Sequence, residues 1–132
     1  SPGGGFSESA TPPWLPVNDN HVDVNVEAQI GEPDSLLEWY RTLLRLRRER
    51  QALHRGDLQL RPLAEGSQMV VYERTDGVER LLIAANLGDA RTTIDVPTES
   101  SVIVSSDSGV GVVAGSLVLP AHSASVLELG WA

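Results

Sequence analysis

The spacing of apolar positions changes near residue 56 and divides the chain into a helical part and a β-rich part. In "PDSLLEWYRTLLRLRRERQALHRGD" the leucines and aromatics recur at steps of three and four, as on one helical face. Ser35 precedes this run and Glu38 follows three residues later, which is the spacing of a capping box. Gly56 lies where a left-handed glycine commonly ends a helix. The pattern predicts one helix over residues 36–54.

From Asp57 onward, short β-rich runs replace the helical pattern. Asp76 and Gly77 lie between two of these runs, which indicates a tight hairpin turn. Short strands that follow one another with only turns and no helix between them predict an antiparallel sandwich or barrel. The predicted strands are "LQLRPL", "QMVVYERT", "RLLIAANL", "RTTIDV", "SVIVSS", "SLVLP" and "SASVLELGW".

Residues 1–34 show neither the helical spacing of apolar residues nor the short β-rich runs. The stretch "GGGFSESATPPWLPVNDN" combines glycines and prolines with two aromatic residues, Phe6 and Trp14. An irregular segment of this length inside a compact domain is usually functional, disordered or packed on another element. Exposed aromatic rings are suited both to stacking on sugars and to packing against a neighbouring domain. The residue types alone leave both interpretations open.

The charge distribution excludes some classes of partner. The net charge is −8, and all ten cationic residues are arginine. Nucleic acids and anionic membranes both require clustered cations, so we predict neither as a partner. The basic run "RTLLRLRRER" alternates with leucines and indicates a solvated helix face. No apolar run has the length of a membrane span and the start lacks signal-peptide features, so we predict a cytoplasmic location.

The sequence contains no recognisable catalytic or metal-binding motif. The segment "GVGVVAG" is followed by a strand pattern, whereas a phosphate loop requires a helix behind its glycines. His21, His54 and His122 are far apart and share no ligand spacing, and the absence of Cys removes thiolate sites. No pair of carboxylates and no nucleophile elbow is recognisable. We therefore predict no catalytic residue, no metal and no cofactor in this chain.

Two longer segments resemble a known family. "GGFS…PPWLPVN" followed by "NVEAQ…PDSLLEWYRTLLRLRRE" is similar to the last part of an α-glucosidase or oligo-α-glucosidase of the α-amylase superfamily, glycoside hydrolase family 13. "RTDGVERLLIAANLG" and "LVLPAHSASVLELG" are similar to its C-terminal β-domain. The resemblance implies an α+β fragment: residues 1–56 would form the final loop and last helix of a (β/α)8 TIM barrel. Residues 57–132 would form an antiparallel β-sandwich domain.

The resemblance also implies a function. The parent would be a retaining α-glucosidase acting on short α-linked oligosaccharides, with its catalytic Asp and Glu residues upstream of this chain. Phe6 and Trp14 would bind substrate at the rim of the active site. An upstream barrel domain or a second chain would pack on the apolar helix residues Leu36, Tyr40, Leu43 and Leu46. Two alternatives remain: a segment of a trehalose or sucrose isomerase-type transglycosylase, and a non-catalytic module that binds carbohydrate or protein.

Overall fold

The computed structural model describes residue 11 and residues 13–130, so Phe6 lies outside the described residues. Contacts divide the chain into two compact units, one ending at Leu44 and the other beginning at Arg45. The boundary between residues 56 and 57 was predicted from the family resemblance as the end of the barrel domain. It stays a prediction.

The described residues of the first unit form two short helical segments and the start of the main helix. A 3-10 helix spans Asp19–Val22, α1 spans Val26–Gln29, and α2 spans Leu36–Glu49. Residues before Asp19 have no regular secondary structure where the structure describes them. Turn-forming and N-capping residues between these segments account for their short lengths.

Ser35 caps α2 as the sequence predicts. Its hydroxyl oxygen accepts a hydrogen bond from the backbone N–H of Glu38 at 3.3 Å. The Glu38 carboxylate instead accepts from the N–H of Gly31 at 3.2 Å and from Arg41 at 2.6 Å. The Gly31 contact, followed by Arg41, holds the pKa of Glu38 below its ordinary value. Only half of the predicted capping box is therefore formed.

The predicted single helix over 36–54 is broken at Arg50. Arg50 adopts an extended conformation (φ −104°, ψ 110°), and α3, Gln51–Arg55, begins directly after it. The Arg50 guanidinium forms ion pairs with the carboxylates of Glu79 and Glu128. Hydrogen bonds to two carboxylates stabilise the interruption, and such charge-assisted bonds are stronger than neutral ones.

Gly56 is needed for a reason different from the predicted one. Its backbone is extended (φ −64°, ψ 158°), not left-handed. A Cβ atom at this position would lie 2.5 Å from the carbonyl oxygen of Ala52 and 2.6 Å from that of Thr75. The residue is therefore glycine because two backbone segments approach it closely.

The described residues form eight antiparallel strands in the two sheets of the sandwich, in agreement with the predicted β class. The larger sheet has the order β1-β2-β3-β8-β5 and the smaller sheet has the order β4-β7-β6. The strands are β1 Asp57–Leu60, β2 Met69–Thr75, β3 Arg80–Asn86, β4 Thr92–Asp95, β5 Ser101–Ser105, β6 Gly111–Val113, β7 Ser116–Leu119 and β8 Ser123–Glu128.

The predicted hairpin joins β2 to β3. Thr75 pairs with Arg80, so residues 76–79 form the loop, and Gly77 is left-handed at φ 87°. The Asp76 carboxylate accepts from the backbone N–H groups of Glu79 and Val78, in that order the main causes of its lowered pKa. A local side-chain bond of this kind explains why Asp occupies the start of the turn.

Strand β3 contributes to two separate hydrophobic cores because neighbouring residues point to opposite faces. Leu82 and Ala84 face the smaller sheet, in a core where Leu117 and Leu119 of β7 and Leu127 of β8 are fully buried. Leu81 packs on the other face in a cluster with Leu46, Ala52 and Val126. The larger sheet is therefore covered on one face by strands and on the other by helical residues.

A cluster of charged residues ties the edge of the larger sheet to the smaller one. The Glu73 carboxylate is paired with Arg61 at 2.8 Å and Arg80 at 3.1 Å. Arg61 also donates to the carbonyl oxygen of Asp95 in β4 at 3.1 Å. Partial burial opposes ionisation of Glu73, but hydrogen bonds from both guanidinium groups outweigh it and lower the pKa.

The apolar residues of α2 have different surroundings. Leu36 and Tyr40 are 65% and 59% exposed, and Leu43 is half-buried. Leu46, in contrast, is buried in the chain's own cluster with Leu81 and Val126. This corrects the prediction for Leu46, because the β-strands of this chain already cover it.

Candidate functional site

A shallow concavity of about 720 Å³ lies in the first unit and is lined by residues between Pro13 and Val24. Trp14 is part of its wall and is 92% exposed. Leu15 and Val24 add further exposed apolar surface. Ligand-binding clefts are typically concave and mostly apolar with a few polar groups, and the lining of this concavity has that composition.

The polar side of the concavity is formed by the 3-10 helix. His21 lines it, and its Nδ1 atom lies 2.9 Å from the carbonyl oxygen of Asn18. Asn18 O also accepts the backbone N–H of His21 at 3.0 Å. These two bonds hold the His21 ring and its backbone on the same carbonyl group.

Asn25 links this loop to α1. Its Oδ1 accepts from the N–H of Ala28 at 2.9 Å, so Asn25 is the N-cap of α1. Its Nδ2 donates to the carbonyl oxygens of His21 at 3.1 Å and Val22 at 2.9 Å. One side chain therefore satisfies groups on both sides of the turn.

Gln29 continues the connection from α1 to α2. Its Oε1 accepts from the N–H of Leu37 at 2.9 Å, and its carbonyl oxygen accepts from the Ser35 hydroxyl at 2.9 Å. The segment "NVEAQ" thus uses its first and last side chains to join the loop to the helix. The sequence signal was available, because Asn directly before a short apolar and acidic run is a good N-cap.

The other two histidines and the glycine-rich segment occupy ordinary structural positions. His122 lies 2.9 Å from Asp89 on the exposed surface, and His54 is exposed in the last turn of α3. The "GVGVVAG" segment forms β6 and a turn with Ala114 and Gly115 at positive φ, not a phosphate loop. Residue 11 and residues 13–130 contain no group of three or more His, Asp or Glu residues that could hold a metal. Within the same residues, no helix has both the length and the apolar character needed to cross a bilayer.

Two family models match this chain, one over the helical part and one over the β-rich part. The family model of the α-amylase catalytic domain matches residues 1–56, and that of the α-amylase SusG C-terminal domain matches residues 69–126. The chain belongs to the α-amylase superfamily. Its concavity and α2 lie in the part that matches the catalytic domain, and most of its sandwich lies in the part that matches the C-terminal domain.

Individual superfamily members are similar over much of the chain. A glucan 1,6-alpha-glucosidase from Streptococcus pneumoniae is 31% identical over 95% of this chain and 23% of its own length. An oligo-1,6-glucosidase from Heyndrickxia coagulans is 33% identical over 67% of this chain and 16% of its own. The chain therefore spans less than a quarter of these relatives.

Solved structures of superfamily members have the same fold. The trehalulose synthase MutB from Pseudomonas mesoacidophila superposes with a TM-score of 0.79 at 25% identity, over 90% of this chain and 22% of that structure. A trehalose-6-phosphate hydrolase from Bacillus licheniformis gives 0.77 at 27% identity, over 93% and 23%. The fold predicted from the family resemblance, a barrel-end helix followed by a β-domain, is confirmed.

Proposed function

We propose that this chain is the C-terminal segment of a retaining α-glucosidase that hydrolyses short α-linked oligosaccharides. The observation that carries the proposal is the position of Trp14, which is almost fully exposed beside a concavity in the part matching the catalytic domain. The two relatives compared by sequence above are named as 1,6-glucosidases, so the substrate class we favour contains α-1,6-linked glucose.

The segment would contribute to binding and not to bond cleavage. In retaining enzymes one carboxylate attacks the anomeric carbon and a second carboxyl group protonates the leaving oxygen. Both groups would come from upstream barrel loops, as would the carboxylate that stabilises the transition state. Active sites of such barrels are built from the loops at the carboxyl ends of the strands. The loop containing Phe6 and Trp14 would be one of them.

The exposed part of α2 would contact the rest of the same protein. Leu36 and Tyr40 lie one helical turn apart and present apolar surface to solvent, and Leu43 lies beside them. Contiguous exposed apolar patches are typical of interfaces. An upstream barrel covering these three residues accounts for them, with a second copy of the chain as the alternative.

The activity is tested on the longer polypeptide that carries this segment. We expect it to release glucose from isomaltose with retention of the anomeric configuration, followed by NMR. We expect the 132-residue chain alone to give no turnover of p-nitrophenyl α-glucoside, because the carboxylates are elsewhere. Turnover by the short chain would contradict the proposal. Conversion of sucrose into an isomer as the main reaction would favour the isomerase-type alternative, which the trehalulose synthase similarity motivates.

The role of Trp14 gives a second expected result. In the longer polypeptide, Trp14→Ala should raise KM for isomaltose about five- to tenfold, because an aromatic face that stacks on sugar contributes roughly 1 kcal/mol. Trp14→Phe should restore most of the affinity since it keeps a ring. An unchanged KM in the alanine variant would instead indicate that Trp14 packs on a neighbouring domain.

A further inference from the structure

His21 is the polar side chain best held at the Trp14 concavity. Because a carbonyl oxygen only accepts hydrogen bonds, the contact with Asn18 O places a proton on Nδ1. The neutral ring therefore has its lone pair on Nε2. Among residue 11 and residues 13–130, Nε2 of His21 has no hydrogen-bond partner. His21 is half-buried as a residue but its ring contact with Asn18 is exposed, so one acceptor nitrogen remains accessible to a ligand.

We infer that His21 is a specificity residue that accepts a hydrogen bond from a hydroxyl group of the sugar stacked on Trp14. Sugar sites combine an apolar ring face with polar groups that bind the hydroxyls at its edge. Trp14 and His21 lie in the wall of the same concavity and supply these two kinds of contact. This inference rests on the proposed function, since it names a contact within the proposed sugar site.

Asn25 is the positioning residue for this contact. Its Nδ2 atom fixes the carbonyl groups of His21 and Val22, while its Oδ1 is bound to the start of α1. The 3-10 helix that carries His21 is thereby tied to a neighbouring segment by side-chain bonds. Loss of the two donated bonds would free the loop without removing any group that touches the sugar.

Two substitutions at His21 separate its two ring nitrogens. In the longer polypeptide, His21→Asn places an amide nitrogen near the position of Nδ1 and leaves nothing at Nε2. His21→Gln reaches the position of Nε2. We expect His21→Asn to raise KM for isomaltose about fivefold with kcat within twofold, the effect of one lost hydrogen bond. We expect His21→Gln to recover part of the affinity lost in His21→Asn, because its side-chain oxygen can accept the same hydrogen bond.

The positioning role is tested with variants that each add one negative charge. Asn25→Asp keeps the acceptor for Ala28 N–H and removes the donors to His21 and Val22. Gln59→Glu is the matched control, because Gln59 is exposed on β1. We expect Asn25→Asp to raise KM about threefold to fivefold and to shift the Trp14 fluorescence titration with isomaltose to higher concentrations. Gln59→Glu should change neither quantity.

The outcomes distinguish this inference from the proposed function. An active longer polypeptide whose His21→Asn variant keeps the unaltered KM would overturn the sugar contact and leave the glucosidase proposal intact. Equal behaviour of Asn25→Asp and Gln59→Glu would overturn the positioning role. Absence of glucosidase activity in the unaltered longer polypeptide would instead contradict the proposed function, and the fluorescence titrations would then decide the sugar contact.

Discussion

Asn86→Asp should lower the free energy of unfolding by about 3 to 5 kcal/mol, the usual cost of an unpaired buried charge. Asn86 is 3% exposed, and its Nδ2 donates to the carbonyl oxygens of Ala90 at 2.8 Å, Pro120 at 2.8 Å and Leu119 at 3.3 Å. Its Oδ1 accepts from the N–H of Gly88 at 3.0 Å. A carboxylate of the same shape would direct a negative charge at three carbonyl oxygens.

Urea denaturation measures this loss, and pH provides an internal check. A carboxyl group buried among acceptors has a raised pKa and is stabilised by protonation, since the protonated form can donate again. A penalty of about 3 to 5 kcal/mol corresponds to a pKa raised by roughly two to four units, so the deficit of Asn86→Asp should shrink as the pH falls from about 7 and vanish near pH 4. Asn20→Asp is the control, because Asn20 is exposed and the change adds the same charge. Equal stability of the two variants would show that the Asn86 bonds contribute little.

Gly56→Ala should lower the free energy of unfolding by about 2 to 3 kcal/mol, as expected for overpacking against rigid neighbours. The new Cβ would meet the carbonyl oxygens of Ala52 and Thr75, both backbone atoms. Neither can move without disturbing the end of α3 or the β2–β3 hairpin, so the clash cannot be relieved by a change of rotamer.

Gly77→Ala separates this effect from ordinary backbone strain. Gly77 is left-handed, but a Cβ there would have no atom within 4 Å. Its alanine variant should therefore lose only about 1 kcal/mol. If urea denaturation gave Gly56→Ala a loss no larger than that of Gly77→Ala, close approach would not be the reason for glycine at position 56.

The sequence predicted the features that arise from local periodicity. The start of α2 followed from Ser35, because an N-cap acts within one turn. The strands followed from short runs bounded by turn residues, and the hairpin followed from Asp76 and Gly77. These signals require no knowledge of distant contacts.

Features that depend on distant partners were missed. The break at Arg50 involves Glu79 and Glu128, which are 29 and 78 positions away in the chain. The role of Gly56 likewise depends on the approach of Thr75. No pattern near either residue contains that information, so helical periodicity predicted a longer helix than the one that forms.

The candidate site was predicted in part. Trp14 followed from its residue type in an irregular loop, and its exposure agrees with an accessible aromatic ring. His21 could not be singled out from the sequence, because a single histidine without a second ligand at a fixed spacing gives no signal. Asn25 and Gln29 act through individual side-chain bonds to the backbone, which leave no periodic trace.

The double-sided packing of β3 limits where the sandwich can be separated from the preceding chain. A fragment beginning at Asp57 would retain both sheets but lose Leu46, Ala52 and Leu53, which cover Leu81 and Val126. Those two strand residues would then face water, and the fragment would expose an apolar patch that promotes aggregation. A soluble, independently folding version of this β-domain must therefore include the last turn of α2 and all of α3.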